Sequence, residues 1–292
     1  MWTAAVSSVF TTSRGLALAL TLSGSALTQT LAPVTAQWLI HDYGWRNAYL
    51  FIGAGWGALV ILLLVPFFFD ARDRERRQKI SSVSDDAKNT RLTGLSGTEA
   101  LRNPPLVKIG LAALLTLIPL AAITIHAVPI ITERGFTRET AAVVISLAGI
   151  AAICGKLTTG WLLDRWASGW ISGLSLALPV VSCVMLIDMT PNLIQIVVAV
   201  FILGYTNGAA LQVITYLTSR YAGMRNFGKI FGVMSSLITL GVGIGPVIAG
   251  LIYDKSQSYS VLLMGSVLFL SIGGLLVSRL GAYPDWSNAG KS

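Results

Sequence analysis

Eight stretches of this chain are long and apolar enough to cross a bilayer, and that property removes most of the folds open to 292 residues. They are residues 15–40, 47–69, 106–131, 139–163, 169–189, 193–217, 228–252 and 259–280. A helix needs about 20 predominantly apolar residues to span hydrocarbon. The runs are continuously apolar, whereas barrel strands would alternate. Without water, each backbone N–H and C=O must find a partner inside its own segment, which selects helices. With 54% hydrophobic and 12% charged residues, and a mean hydropathy of +0.71, a water-soluble domain could not hide its apolar surface. The expected fold class is an all-α polytopic membrane protein with about eight transmembrane helices.

One of these runs occurs twice. Gly15 to Ile40 and Gly228 to Ile252 share Gly15 with Gly228, Ser23 with Ser236 and Leu27 with Leu240. Pro33-Val34 pairs with Pro246-Val247 and Ala36 with Ala249, all at an offset of 213. After a one-residue gap near Trp38, Leu39-Ile40 and Asp42 pair with Leu251-Ile252 and Asp254. A same-direction repeat in a hydrophobic chain points to a transporter built from two parallel halves. At that offset the four runs between 106 and 217 have no counterparts. The expectation is that roughly 105–115 residues and four spans of the first half are missing.

Lys and Arg set the orientation. With Arg14 placed inside and the spans alternating, sixteen basic residues fall on the inner side and four on the outer (Arg46, Arg134, Arg138 and Lys255). That bias predicts a cytoplasmic C-terminus. It leaves Lys156 alone within a span. Residues 70–105 hold eight basic and six acidic residues, so the net charge of +8 follows from topology and lipid headgroups and does not require nucleic acid. Cys154 and Cys183 lie within spans and read as packing residues, with no metal cluster and no disulfide framework. The N-terminus lacks a cleavable signal pattern. Three segments are expected: 1–69 (the end of one span and two more), a cytoplasmic linker 70–105, and six spans in 106–292. Within the linker, Ser96-Gly-Thr-Glu99 has capping-box spacing and predicts a short helix through Leu101, ended by Asn103-Pro104-Pro105.

Four stretches carry a family resemblance. They are Arg14-Gly15 with Leu16-Ala17-Leu18; Tyr43-Gly44-Trp45-Arg46; Gly160-Trp-Leu-Leu-Asp164-Arg165; and Phe227-Gly228 to Gly232, continuing to Gly245-Pro246 and Tyr253-Asp254. In this order they resemble spans five to twelve of the twelve-span major facilitator superfamily, across essentially the whole chain. His126-Ala-Val-Pro129, Lys156 and Ser219-Arg220-Tyr221 before Phe227-Gly228 resemble its monocarboxylate-transporter and oxalate–formate antiporter branch. Trp166, Ala167 and Ser168 depart from the small and basic residues that usually end the cytoplasmic loop motif.

Lys156 is the sharpest candidate for a substrate contact. A cation inside a span costs about 2.5–3.5 kcal/mol on insertion scales, so it faces a cavity or a partner, or snorkels to the headgroups. It precedes Asp164 by eight residues, roughly 12 Å of helix, which places it toward mid-membrane. The resemblance implies a basic residue there that meets a carboxylate. His126 is a candidate proton-coupling residue, or a hydrogen-bonding group at the helix irregularity made by Pro129. Tyr205, Asn207, Gln212 and Tyr216 on one span, with Gln29 and Gln37 on another, line a cavity or bond neighbouring helices. Gly160, Asp164 and Arg165 read as a gating motif that binds an adjacent span in one conformation and releases it in another.

The resulting expectation is secondary active transport of a small solute, a monocarboxylate or related organic anion, by alternating access with proton or anion coupling. No cofactor or metal is expected, and no enzyme activity, since no metal motif or nucleophile–base pair occurs at usable spacing. The expected partners are the substrate and membrane lipid, with one complete chain acting as a monomer. The expected place is a bacterial inner membrane. Rival readings are a drug–proton antiporter that does not need Lys156, a non-transporting membrane protein, and an inert fragment.

Overall fold

Proline and glycine positions decide where these helices break. The computed structural model describes residues 14–67, 94–166, 169–188, 190–223, 225–281 and 283–284. The expected span exit in residues 1–12 and most of the linker lie outside the described residues. Residues 24–90 make up one structural unit, and residues 1–23 with 91–292 another.

The first helical run, α1, spans Arg14–Phe67 and is interrupted at Gly44, whose backbone is non-helical at φ 74° and ψ 159°. A residue with a Cβ resists that positive φ, so glycine marks the turn. This is the turn expected at Tyr43-Gly44-Trp45-Arg46. Asn47 Nδ2 donates to the Tyr43 carbonyl at 3.1 Å, and the Arg46 guanidinium lies 4.8 Å from the Trp45 ring centre. Such amphipathic aromatic and basic groups suit a membrane interface.

The larger unit opens with α2 (Gly97–Arg102), held by the expected capping box. The Glu99 N–H donates to Ser96 Oγ, and the Ser96 N–H donates to Glu99 Oε2 at 2.8 Å. The next helix, α3 (Pro104–Ile125), follows Asn103, whose Oδ1 accepts from the Leu106 N–H. Prolines at its first positions lack an N–H that would be orphaned anyway. Then come α4 (Ala127–Glu133), α5 (Arg138–Arg165), α6 (Gly169–Ala177), α7 (Pro179–Ile187), α8 (Leu193–Ala222), α9 (Phe227–Ser256) and α10 (Ser260–Ser278). Among the described residues, six helices are long and apolar enough to cross a membrane, counting α6 and α7 as one. The all-α polytopic class is as expected.

Two expected spans are divided. The run 106–131 becomes α3 and α4, parted at His126. Pro129 offers no N–H to the Ile125 carbonyl and its ring crowds it, so the helix turns there. Pro179 acts likewise on Ser175, parting α6 from α7. Pro119 and Pro246 stay inside their helices.

Helices in lipid gain no hydrophobic drive toward one another, so association rests on close packing. The most extensive pairing is α5 with α8, and α9 and α10 both pack on α3. At the α5–α8 crossing, a Cβ on Gly155 would overlap the Tyr205 carbonyl. One on Gly204 would overlap that of Ala148, and one on Gly208 that of Ala152. The backbones touch because these side chains are absent. Large apolar side chains such as Val143, Ile150, Leu174 and Leu268 are exposed on the outside of this unit.

Both ends of the unit are tied by polar contacts. At one end the Leu95 N–H donates to the Ala222 carbonyl at 2.9 Å, and Asn226 Nδ2 to the Leu95 carbonyl at 3.1 Å. Beside them the Tyr221 hydroxyl donates to the Gly281 carbonyl at 2.8 Å, and Arg220 lies 4.9 Å from the Tyr283 ring centre. Burial holds the Tyr283 phenol above its ordinary pKa. At the other end, Arg134 is buried at 5% exposure. Its Nε donates to the Leu186 carbonyl at 2.8 Å and its Nη2 to Ser260 Oγ at 3.1 Å. The residue counted among the outer-loop cations is thus a tie between α4, α7 and α10.

Candidate functional site

Lys156 sits where α5 and α8 cross most closely. Its neighbour Gly155 meets the Tyr205 backbone, and Lys156 itself is buried at 5% exposure. The Tyr205 side chain runs along α5. Its hydroxyl lies 2.8 Å from Thr158 Oγ1 and 3.3 Å from Thr159 Oγ1. Thr158 also donates to the Cys154 carbonyl at 2.7 Å, which fixes its rotamer. Lys156 and Thr159 are three residues apart and so share a helix face. The crossing region therefore holds a buried lysine and, at Tyr205, a phenol within hydrogen-bond distance of two threonine hydroxyls. A positive charge with several hydroxyls suits recognition of a small oxyanion, because ammonium–carboxylate hydrogen bonds are roughly twice as strong as neutral ones.

The other candidates separate. Asn207 is exposed, and its Nδ2 donates to Thr124 Oγ1 of α3 at 2.9 Å. It joins α3 to α8. Gln212 is completely buried. Tyr216 is buried too, and its hydroxyl donates to the Leu163 carbonyl at 3.1 Å, tying α8 to the C-terminal end of α5. The side chains of Gln29 and Gln37 lie outside the described residues. Of the polar residues expected on this span, Tyr205 is the one whose hydroxyl meets Thr158 and Thr159 of α5.

His126 forms the joint between α3 and α4. Its side chain makes no cap bond to its own helix. Its Nδ1 lies 3.0 Å from the Tyr259 hydroxyl and its Nε2 3.3 Å from the Pro246 carbonyl. The irregularity made by Pro129 is therefore not its hydrogen-bonding partner. It reaches instead to a second proline helix and to the start of α10.

In the loop motif, Gly160 is buried and Asp164 half-buried near the end of α5. Arg165 is exposed and lies 5.7 Å and 5.8 Å from the ring centres of Trp161 and Trp166. Trp166, where the sequence leaves the usual motif, thus supplies an aromatic face for the motif's own arginine.

Sequence reasoning missed Glu133. Its Oε1 accepts from Ser258 Oγ at 2.5 Å and its Oε2 from the Tyr259 N–H at 3.0 Å, with Arg134 Nη1 3.5 Å from Oε1. Its signal was weak, since an acid beside an arginine before Gly135 reads as a solvated turn. Asp188 closes a turn: the Thr190 N–H donates to it at 3.0 Å. That bond first, and Gln195 next, hold its carboxyl below the ordinary range. Among the described residues no group of three or more His, Cys, Asp or Glu is placed to hold a metal ion.

A helical membrane bundle with a cation buried at a small-residue crossing defines a class of integral, multi-pass proteins able to present charge to a solute within the bilayer. Within that class, the chain belongs to the Major Facilitator Superfamily, whose family profile matches residues 1–222 and residues 120–291. Among curated relatives, Monocarboxylate transporter 12 of Xenopus laevis is 27% identical over 297 residues, covering 92% of this chain and 62% of the relative. Monocarboxylate transporter 12 of Homo sapiens is 26% identical over 304 residues, covering 92% and 57%. Monocarboxylate transporter 13 of Bos taurus is 27% identical over 295 residues, covering 94% and 62%. The chain spans about three-fifths of the length of these curated relatives.

Proposed function

We propose that this chain serves the movement of a small organic anion, of the monocarboxylate class, across a membrane by alternating access. The observation that carries the reading is the burial of Lys156 at the α5–α8 crossing, where the Tyr205 hydroxyl also meets Thr158 and Thr159 of α5. An ammonium held in low dielectric attracts a carboxylate far more strongly than one in water. Tyr205, Thr158 and Thr159 would orient the carboxylate oxygens, and Lys156 would supply the charge. The names of the relatives support the same substrate class. Asp164, Arg165 and Gly160 would form a contact that opens and closes as the bundle rocks. Proton or anion exchange would drive the cycle, with His126 as the proton-coupling residue. The transported species would meet no cofactor and undergo no chemical change.

Uptake of radiolabelled lactate by membranes containing the protein tests this. A charge-assisted contact contributes about 1.5–3 kcal/mol, so Lys156→Met should lower uptake roughly 10–100-fold at equal membrane level. Lys156→Arg should retain part of the activity, since charge is kept while geometry changes. Equal uptake by Lys156→Met and the parent would overturn the anion site. Efflux of apolar cations, insensitive to Lys156, would favour a drug–proton antiporter of the same fold.

A further inference from the structure

His126 is bonded through both ring nitrogens, and the two partners differ in what they can do. The Pro246 carbonyl, 3.3 Å from Nε2, can only accept. In the neutral ring, Nε2 therefore carries the hydrogen and Nδ1 presents its lone pair. That lone pair is covered by the Tyr259 hydroxyl at 3.0 Å, which must then donate to it. In the neutral ring the proton is accepted at Nδ1, where the bonded neighbour is the Tyr259 oxygen.

Tyr259 is itself 5% exposed, but it forms part of the wall of a cavity of about 470 Å³. Val128, Pro129, Thr132, Glu133, Arg138 and Tyr253 line the same cavity. The Tyr253 ring stacks on Tyr259 with centroids 4.6 Å apart, and Glu133 grips the Tyr259 N–H at 3.0 Å. The ring is thus stacked on one face, its backbone is tied to Glu133, and its hydroxyl meets the histidine.

We propose that this cavity is the port through which protons reach His126, and that Tyr259 is the relay. The inference rests on the reading of His126 as a proton-coupling residue. A water in the cavity gives a proton to Tyr259 Oη while the hydroxyl hydrogen of Tyr259 passes to Nδ1. The phenol ends neutral, the imidazole becomes imidazolium, and a hydroxide or the conjugate base of the donor is left in the cavity. No electron changes hands. In the charged state both ring nitrogens donate, Nε2 still to Pro246 and Nδ1 now to Tyr259, whose hydrogen turns toward the cavity.

The surrounding charges fit this role. From α4, Glu133 faces the site with Arg134 beside it; from α5, Arg138; from α9, Tyr253 and Asp254. The first half of α8 carries only uncharged residues.

Histidine-ring NMR on the full chain in lipid vesicles tests the relay. The chain has two histidines, so a His41→Gln background leaves one labelled ring. The expected results are a neutral ring protonated at Nε2, and proton exchange at Nδ1 slowed more than about tenfold by Tyr259→Phe, on the scale of positioned proton transfer. With the protein inserted one way round, the ring of the parent should follow the pH of the compartment facing the α9–α10 turn. A neutral ring protonated at Nδ1, exchange unchanged in Tyr259→Phe, or a ring that follows the opposite compartment would each overturn the proposal. The sidedness measurement needs no variant, so misfolding of Tyr259→Phe would not spare it. Lactate uptake in Lys156→Met is independent of this readout, so the relay and the anion site stand or fall separately.

Discussion

At the scale of single residues, side chains beside helix ends hold the most definite chemistry. The Ser96 N–H, and then the Ser96 side chain, hold the Glu99 carboxyl below its ordinary pKa. The capping contact is therefore complete above about pH 4.3, the ordinary carboxylate value, and is lost as pH falls through the lower value of the folded state. The amide shifts of Ser96 and Glu99 should move together across that acidic window, and Glu99→Gln should flatten the response. Arg134 presents the opposite case of a charge that is buried and tied. Arg134→Gln should lower stability by about 2–3 kcal/mol, because it breaks charge-assisted bonds to Leu186 and Ser260; thermal unfolding in detergent would register the loss. The first of these sites was legible in the sequence, since capping is local and its spacing is fixed. The second was not, because the groups that satisfy Arg134 lie 52 and 126 residues away.

At the scale of helices, the determining features are small residues and prolines. The α5–α8 contact places glycines directly against carbonyl groups of the facing helix. Gly208→Val should therefore cost at least about 1–3 kcal/mol through overpacking, and should spread the crossing that carries Lys156 and Tyr205. Gly232→Ala on α9 makes a control, since a Cβ there meets nothing within 4 Å. The two variants should differ in melting temperature, with Gly232→Ala near the parent. Equal melting would remove the close-packing account. The proline effects were readable in part. Pro129 marked the break after α3, but nothing local showed that the freed histidine would reach Pro246, the proline of another helix.

At the scale of the whole molecule, the charge pattern predicts which way the chain is threaded. Sixteen basic residues against four place Arg220, Arg225 and the C-terminus on the cytoplasmic side, and the α9–α10 turn outside. Reporter fusions after Ser292 and within Ser256–Ser258 should report opposite compartments. The reverse pattern would invert the side from which the His126 cavity opens. The ties of Leu95 to Ala222 and of Tyr221 to Gly281 close one end of the larger unit, while Glu133 and Arg134 close the other. Both closures join segments far apart in sequence across turns, where backbone groups are left without helical partners.

Hydropathy alone determined that this chain is a bundle of membrane helices, because a backbone in lipid has few ways to satisfy its own hydrogen bonds. The repeat and the ordered motifs determined its family for the same local reason: glycine, proline and terminal charges act on their own turn of helix. Lys156 stood out because a lone cation in an apolar run is costly wherever it points. What only the tertiary structure decided was which polar groups meet. Tyr205 joined Thr158 and Thr159 while Asn207, two residues on, joined Thr124. Successive helix positions face in different directions, so the partner depends on which helix lies opposite. That choice is made by close packing of small residues across the bundle, a pairwise property that no single stretch of sequence contains.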